Sequence, residues 1–307
     1  DVSPLSGLTA LERLDLSDTS VTDVSPLSGL MALEALFLGN TSVTDTSPLS
    51  ALTALNTLYL DNTGVMDVSP LSRLTALKWL TLTSTGVTDV SPLAGLTALE
   101  ELDLDNTGVS DVSALSGLTT LEMLYLDYTG VTDTSPLSAL TALKKLSLTG
   151  NGVTDVSALS SLTALEMLYL NSTGLTDVSA LSGLTALWAL HLDNTGVTDV
   201  SPLSGLTMME TLCLGNTGVT DVSPIAHLPR LASLRLTKLD LSRSAASLPT
   251  SVKELDLREA KWPPGRSLPG VPWRIAPDGT GHRSEGAAVA SVWLDEWARE
   301  ADAIHKF

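Results

Sequence analysis

Apolar residues recur along this chain in a frame of 22 residues that runs without a slip from Asp1 to Asp221. The opening segment of the frame reads L-x-x-L-x-L. Its twelve copies start at Leu11, Leu33, Leu55, Leu77, Leu99, Leu121, Leu143, Leu165, Leu187, Met209, Leu231 and Val252. A fixed period of this length is typical of repeat proteins, in which each unit buries its apolar side chains against the next unit.

Within L-x-L the apolar period is two, which predicts a short strand whose leucines point inward. Leu102 and Leu104 then face the interior and Asp103 faces outward. Strands from successive repeats must run parallel, so D-V-S-P-L-S-G-L has to return the chain within a few residues. A single turn of 3₁₀ helix fits that length. We expect the serine hydroxyl to accept a backbone N–H at its start, with proline in the first helical position.

The complete unit, L-x-x-L-x-L-x-x-T-G-V-T-D-V-S-P-L-S-G-L-T-A, resembles the leucine-rich-repeat family. It is most similar to the 22-residue class of bacterial internalins and to phosphatase-regulator-like intracellular repeats. The matching residues in one repeat are Leu55, Leu58, Leu60, Thr63, Val65, Asp67, Val68, Pro70, Leu71 and Leu74. The resemblance covers roughly residues 1–240. It implies an α/β repeat solenoid, a curved horseshoe with a parallel concave β-sheet, short 3₁₀ or irregular convex crossovers, and protein recognition on the concave sheet.

One departure from the family is threonine where asparagine is usual, as at Thr41 and Thr63. We expect these threonines to form a buried ladder whose hydroxyls bond neighbouring backbone, with Asn151 in the same position once. The glycine that follows the threonine in most repeats is replaced by Ser20 and Ser42, so a positive φ is not obligatory there.

Three regions are predicted. Residues 1–241 form the repeat array; Asp1 falls inside a repeat, so we expect no N-terminal cap and a longer parent chain. Residues 242–260 form a degenerate last repeat, because the period shortens to 21 between Leu231 and Val252. Residues 261–307 combine a Pro-, Gly- and Trp-rich stretch with an amphipathic helix from Ser284. This last region is predicted to cap the array; the alternative is a partner-binding helix or the start of another domain.

The charge balance excludes some partners. The chain has 35 acidic and 17 basic residues, a net charge of −18, and residues 1–228 carry 25 of the acids and 5 of the bases. This disfavours nucleic acid, which needs clustered Lys and Arg, and an anionic membrane surface. No apolar run approaches the ~20 residues of a transmembrane helix. No targeting pattern distinguishes a cell-surface or secreted location from a cytoplasmic one.

The outward positions of the strand motif are where the repeats differ. Every aromatic residue before position 260 falls there, and aromatic side chains are enriched at recognition hot spots; the alternative is that aromatics simply favour strands. The predicted partner-binding residues are Phe37, Tyr59, Trp79, Glu101, Asp103, Tyr125, Tyr128, Tyr169, Trp188 and His191. The acidic centre around Glu101 and Asp103 would suit a protein partner with a basic surface. It could equally be a solvated face that maintains solubility.

No catalytic group, metal site or cofactor is predicted. The recurring aspartates are better explained as loop residues that accept backbone N–H bonds than as calcium ligands. Cys213 and His191 are expected to be strand neighbours, but the sequence offers no orienting acid for them. The predicted function is therefore a non-catalytic protein-binding module. The alternatives are a structural spacer, or the sensor region of a larger chain whose enzymatic domain lies elsewhere.

Overall fold

A computed structural model of the chain describes residues 2–242, 244 and 248–261, with the backbone of residues 273–275 and 281–283. Twelve three-residue strands pair in chain order into one open parallel sheet. They are β1 Arg13–Asp15, β2 Ala35–Phe37, β3 Thr57–Tyr59, β4 Trp79–Thr81, β5 Glu101–Asp103, β6 Met123–Tyr125, β7 Lys145–Ser147, β8 Met167–Tyr169, β9 Ala189–His191, β10 Thr211–Cys213, β11 Ser233–Arg235 and β12 Glu254–Asp256. The predicted parallel sheet and horseshoe are confirmed.

The register of the sheet places equivalent residues side by side. Leu102 of β5 pairs with Leu124 of β6, and the same alignment of the central residue holds across the twelve strands. The inward leucines of the inner repeats are fully buried, so one apolar core runs the length of the array. At about 0.8 kcal/mol for each buried CH₂ group, this leucine core is the main stabilising element.

Short 3₁₀ segments return the chain between strands, as predicted. They are Ser3–Gly7, Ser25–Leu27, Ser47–Leu49, Ser69–Arg73, Ser91–Gly95, Ser113–Gly117, Ser135–Ala139, Ser157–Ser161, Ser179–Gly183, Ser201–Gly205 and Ser223–Ile225. The expectation that the serine hydroxyl accepts the capping N–H is wrong. Instead, Oδ1 of Asp67 accepts the amide of Ser69 at 2.8 Å, and the Ser69 hydroxyl donates to Oδ2 of the same aspartate at 2.9 Å. The recurring aspartate is thus a backbone acceptor, as the sequence indicated.

The buried threonines bond the backbone of their own repeat. The hydroxyl of Thr63 donates to the carbonyl of Leu60, 2.6 Å away in its own repeat, and the other threonines repeat this local bond. Asn151 joins two repeats, because its Nδ2 donates to Leu148 at 3.1 Å and to Leu126 of the preceding repeat at 2.6 Å. The longer amide reaches a carbonyl that the threonine hydroxyls do not bond.

A left-handed backbone residue precedes the threonine position in each repeat, where the chain leaves the strand, whether the position holds threonine, Asn151, Leu239 or Ala260. The left-handed residues, with φ between 53° and 74°, are Asp18, Asn40, Asn62, Ser84, Asn106, Tyr128, Gly150, Ser172, Asn194, Asn216, Lys238 and Glu259. Asparagine is the commonest choice because its side chain tolerates this conformation. The glycine that follows the threonine has no positive φ; at Gly64 a Cβ would lie 2.7 Å from Cγ2 of Thr44 in the preceding repeat.

The sheet ends near residue 261, where Asp240 and Lys261 form a parallel bridge. Beyond it, β13 Trp273–Ile275 and β14 Gly281–Arg283 form an antiparallel pair that the sequence reading missed. The predicted helix from Ser284 lies outside the described residues, so its role as a cap stays a prediction. Within the described part of the chain, none of the helices is long and apolar enough to cross a membrane.

Candidate functional site

Three columns of side chains cross the outer face of the sheet, because every repeat contributes equivalent positions in register. Column one holds the first residue of each strand, column two the third residue, and column three the residue two positions further along. In the repeat that contains β5, the three columns hold Glu101, Asp103 and, two residues after the strand, Asp105. The strands that flank each position are aligned, so neighbours within a column are one strand spacing apart, about 4.8 Å.

The predicted aromatic residues lie on this face with one exception. Phe37, Tyr59, Tyr125, Tyr169 and His191 are in column two, Trp79 is in column one, and Trp188 immediately precedes β9; all are partly buried. The rings form pairs across adjacent strands. Phe37 meets Tyr59 edge-on with centroids 4.9 Å apart, and Tyr169 lies 4.6 Å from the His191 ring.

Tyr128 is the exception, because it lies in the turn after β6 and not in one of the three columns. It follows β6 in the left-handed turn position, with φ 53°, and its side chain is 60% exposed. Its ring covers Gly150, where an added Cβ would collide with Cδ1 of Tyr128. A bulky residue at positive φ is uncommon, so the ring is displayed at the edge of the face at some cost in backbone strain.

Lys145 lies at the centre of the face and was not among the predicted site residues. Its side chain is only 6% exposed, and its Nζ lies 5.1 Å from the ring centroid of Tyr125 and 5.5 Å from that of Tyr169. Met123 and Met167 flank it in column one, each with its sulfur within 4 Å of the adjacent tyrosine hydroxyl. The result is a cation held between two aromatic rings.

The acidic residues beside Lys145 are more buried than an exposed patch would be. Glu101 is 6% exposed, and burial raises its pKa, with Asp103 adding to the effect. Burial, together with Asp103 and Asp127, raises the pKa of Asp105 to about 8. Burial also raises the pKa of Asp103 and of Asp127. Near neutral pH the cluster therefore carries less negative charge than its composition suggests.

Asp105 and Asp127 of column three also accept hydrogen bonds from the backbone of the next repeat. Oδ1 of Asp105 accepts the amide of Asp127 in the next repeat, and Oδ1 of Asp127 accepts the amide of Thr149 at 2.7 Å. These bonds satisfy backbone groups at the strand ends, so part of the acidic cluster is explained by the fold itself. Asp103 is the least enclosed of the four acids and remains partly accessible.

Charges at the margin of the face are paired. Lys78 bonds Glu100 at 2.7 Å and Lys144 bonds Glu122 at 2.7 Å, in each case across adjacent repeats. All four side chains are well exposed, so each pair contributes little to the stability of the fold. Lys78 and Lys144, which flank the acidic centre in the sequence, thus neutralise Glu100 and Glu122.

A third grouping involves His191, Asp193 and Cys213. Cys213 pairs in register with His191, and the ligating atoms of the three side chains all lie within 4.8 Å of one another. Oδ1 of Asp193 accepts the amide of Gly215 at 2.6 Å, and Oδ2 lies 3.0 Å from Nη1 of Arg235. Burial lowers the pKa of His191 to about 4, with Arg235 and Lys145 contributing. The sequence analysis found no orienting acid for this pair; Asp193, two residues after His191, is the acid that lies beside them.

The same repeat is found in known proteins, both by a family model and among solved structures. A family model described as leucine-rich repeats (2 copies) matches residues 9–51, 75–117 and 119–161. Among solved structures, internalin inlF of Listeria monocytogenes is 26% identical, with a TM-score of 0.71 over 92% of this chain and 88% of its own. Internalin C2 of the same organism is 32% identical, with a TM-score of 0.54 over 66% of this chain and 80% of its own.

A more distant match shows the fold alone. The ectodomain of the Arabidopsis thaliana receptor kinase GASSHO1/SCHENGEN3 is 20% identical, with a TM-score of 0.69 over 81% of this chain and 36% of its own; it was solved in complex with Casparian strip integrity factor 2. In the search of curated proteins, none matches the chain.

An open parallel sheet built from aligned L-x-L strands, with 3₁₀ turns behind it, defines a leucine-rich-repeat solenoid. The chain belongs to the internalin-like leucine-rich-repeat family. Proteins with this fold are typically non-catalytic scaffolds for protein interaction.

Proposed function

We propose that the chain binds a protein partner on its concave face, in a contact centred on Tyr125, Lys145 and Tyr169. The observation that supports this most strongly is the confinement of the array's aromatic side chains to one face or its margin. The 3₁₀ crossovers on the opposite side carry none. A preference of aromatics for strands accounts for part of this, but not for their clustering in column two around a lysine.

The rings of Tyr125 and Tyr169 are held in place by their neighbours, which suits recognition. Tyr125 and Tyr169 are partly buried, and each is held by Lys145 and by a methionine neighbour, so little rotamer freedom is left to lose on binding. Rigid aromatic side chains bury much area at low entropic cost, and they dominate binding free energy at many interfaces. Twelve strands about 4.8 Å apart span roughly 50 Å, which is long enough for a folded domain or an extended segment.

The charges favour a partner with a basic surface. Asp103 is partly accessible, and the pKa of Asp105 is raised because burial and the neighbouring like charges oppose its ionisation. A lysine or arginine brought to this point would stabilise the ionised carboxylates and so gain binding energy. Association with such a partner should weaken as salt is added.

The fold of the relatives is consistent with this use. A receptor ectodomain of the same fold was solved in complex with a separate factor, so a leucine-rich-repeat array of this geometry accommodates a partner. The second candidate function is a structural spacer, favoured by repeats that differ little outside the strand positions. A spacer would have no discrete ligand on this face.

The test is a binding measurement with a matched control. Candidate ligands selected from a displayed protein library are titrated against the unaltered chain and against a Tyr125→Ala/Tyr169→Ala variant. A Met66→Ala/Met208→Ala variant, which alters exposed residues off the sheet face, is the control. We expect loss of binding in the tyrosine variant only, with unchanged circular dichroism melting. Equal binding by both variants would reject the concave site, and a failure to select any micromolar ligand would favour the spacer.

A further inference from the structure

We propose that His191, Asp193 and Cys213 form a binding site for a zinc ion at the C-terminal end of the concave face. The three side chains come from two adjacent repeats, and the parallel register of β9 and β10 brings them together. An imidazole nitrogen, a thiol sulfur and a carboxylate oxygen lie within 4.8 Å of one another. Zinc needs no protein partner to bind there, so this proposal and the protein-binding proposal can fail separately.

The spacing is close to what zinc requires. Zinc–nitrogen and zinc–oxygen bonds are about 2.0–2.2 Å and zinc–sulfur bonds about 2.3 Å, so tetrahedral ligand atoms lie about 3.3–3.7 Å apart. The ligand atoms lie no more than 4.8 Å apart, so they need to close by at most about 1.5 Å through side-chain rotation. The backbone need not move, because the strand ladder already holds Cys213 opposite His191.

The donor set selects the class of metal. Thiolate and imidazole ligands favour zinc and similar borderline metals over calcium or magnesium, which prefer oxygen alone. Three protein ligands leave a fourth position for water or for a group on a partner. Binding replaces the thiol proton of Cys213, so one proton is released for each zinc bound and no oxidant or reductant is involved.

Surrounding residues hold the ligands in place. The amide of Gly215 donates to Oδ1 of Asp193 at 2.6 Å, and the Tyr169 ring lies against the His191 ring at 4.6 Å. Such supporting contacts orient ligands and typically change metal affinity by about 10–100-fold when removed. A carboxylate oxygen that accepts one hydrogen bond keeps a lone pair for a metal.

Arg235 is the group that opposes the metal. Its Nη1 lies 3.0 Å from Oδ2 of Asp193, where it supplies the positive charge that zinc would otherwise supply. Its Nε is 3.9 Å from Oδ2 of Asp256, so the guanidinium has a second carboxylate to turn toward when zinc takes the first. We therefore expect Arg235 to weaken zinc binding without abolishing it.

Cobalt(II) provides a direct probe, because a cobalt–thiolate bond gives a charge-transfer band in the near ultraviolet. The chain has one cysteine, so any such band must come from Cys213. The full chain, prepared without a polyhistidine tag, is titrated with cobalt chloride and then with zinc chloride. We expect the band to saturate at about one equivalent of cobalt and to disappear as zinc displaces it.

Variants identify the remaining ligands by isothermal titration with zinc. We expect His191→Ala and Asp193→Asn to weaken zinc binding by at least about tenfold, while His227→Ala, at an exposed histidine on a crossover, leaves it unchanged. Arg235→Gln should bind zinc more tightly, an effect opposite in sign to damage to the fold. If the unaltered chain gives no thiolate band, the site does not exist. If Arg235→Gln or Asp193→Asn leaves the affinity unchanged, Asp193 is not a ligand and the three-residue site is rejected.

Discussion

Nδ2 of Asn151 lies 2.6 Å from the carbonyl oxygen of Leu126, and this bond crosses from one repeat to the one before it. Where a threonine occupies the position, as at Thr63 and Thr107, its hydroxyl bonds a carbonyl of its own repeat. The repeats around Asn151 are therefore joined by a side chain as well as by their strands. The asparagine amide is longer than the threonine hydroxyl, and its Oδ1 also accepts the amide and the hydroxyl of Thr129 in the preceding repeat.

Replacing Thr107 with asparagine should create the same connection. We expect the free energy of unfolding to rise by about 0.5–1.5 kcal/mol, the usual net contribution of one hydrogen bond. Conversely, Asn151→Thr should lower it by a similar amount. Urea denaturation of both variants measures the effect, with Thr97→Asn at an exposed position as the control. A Thr107→Asn chain no more stable than the parent would contradict this account.

Gly150 combines a left-handed backbone with a ring packed directly over it. A Gly150→Ala substitution should lower stability by about 1–2 kcal/mol from the φ of 74° alone, with a further loss from collision with Tyr128. In a Tyr128→Ala background the penalty should fall toward the backbone contribution. The control is Gly117→Ala, because a Cβ there meets no atom within 4 Å. An equal penalty in both backgrounds would show that the ring does not pack on Gly150.

The acidic cluster should make stability fall as pH rises. The pKa of Asp105 is raised from 3.8 to about 8 in the folded chain, so between about pH 4 and pH 8 the unfolded chain has lost a proton that the folded chain retains. Asp105→Asn removes this proton difference and keeps an oxygen to accept the Asp127 amide, as Asn171 does for Asp193. We expect its Tm advantage to be larger at pH 8 than at pH 5 by at least about 2 °C.

A control of opposite sign is available at Asp111. Its pKa is lowered because it accepts the amide and hydroxyl of Ser113, so its contribution to stability is present above about pH 4 and is lost as pH falls through the lowered value. Asp111→Asn should therefore lower Tm at neutral pH, where Asp105→Asn raises it. Changes of the same sign in both variants would mean that burial, not protonation, governs the cluster.

The sequence predicted the parts of the fold that each repeat decides locally. The spacing of Leu99, Leu102 and Leu104 sets which side chains face inward, and Pro92 follows the point where the crossover begins. These features depend on the apolar period of two in the strand and on the residues of the turn, and every repeat contains both. The sheet, its register and the 3₁₀ returns could therefore be predicted in full.

The site was less predictable because it depends on how side chains from different repeats lean toward each other. Lys145 begins the strand next to that of Tyr125, but its burial between two rings depends on its length and on both neighbours. Asp193 approaches Cys213 across a strand boundary from a position beyond the strand. Tyr128 was assigned to the face, although a positive φ removes it from the strand. No single repeat contains these relationships.

Every contact between the named elements of the array joins a repeat to its immediate neighbours. A unit of this kind can be duplicated or deleted as a block of 22 residues, because the two new neighbours present each other with the same leucines and the same turn. Changes in the gene that copy or remove one block would then alter the length of the face while leaving the core intact. The reach of this surface is thus easier for evolution to change than the packing that supports it.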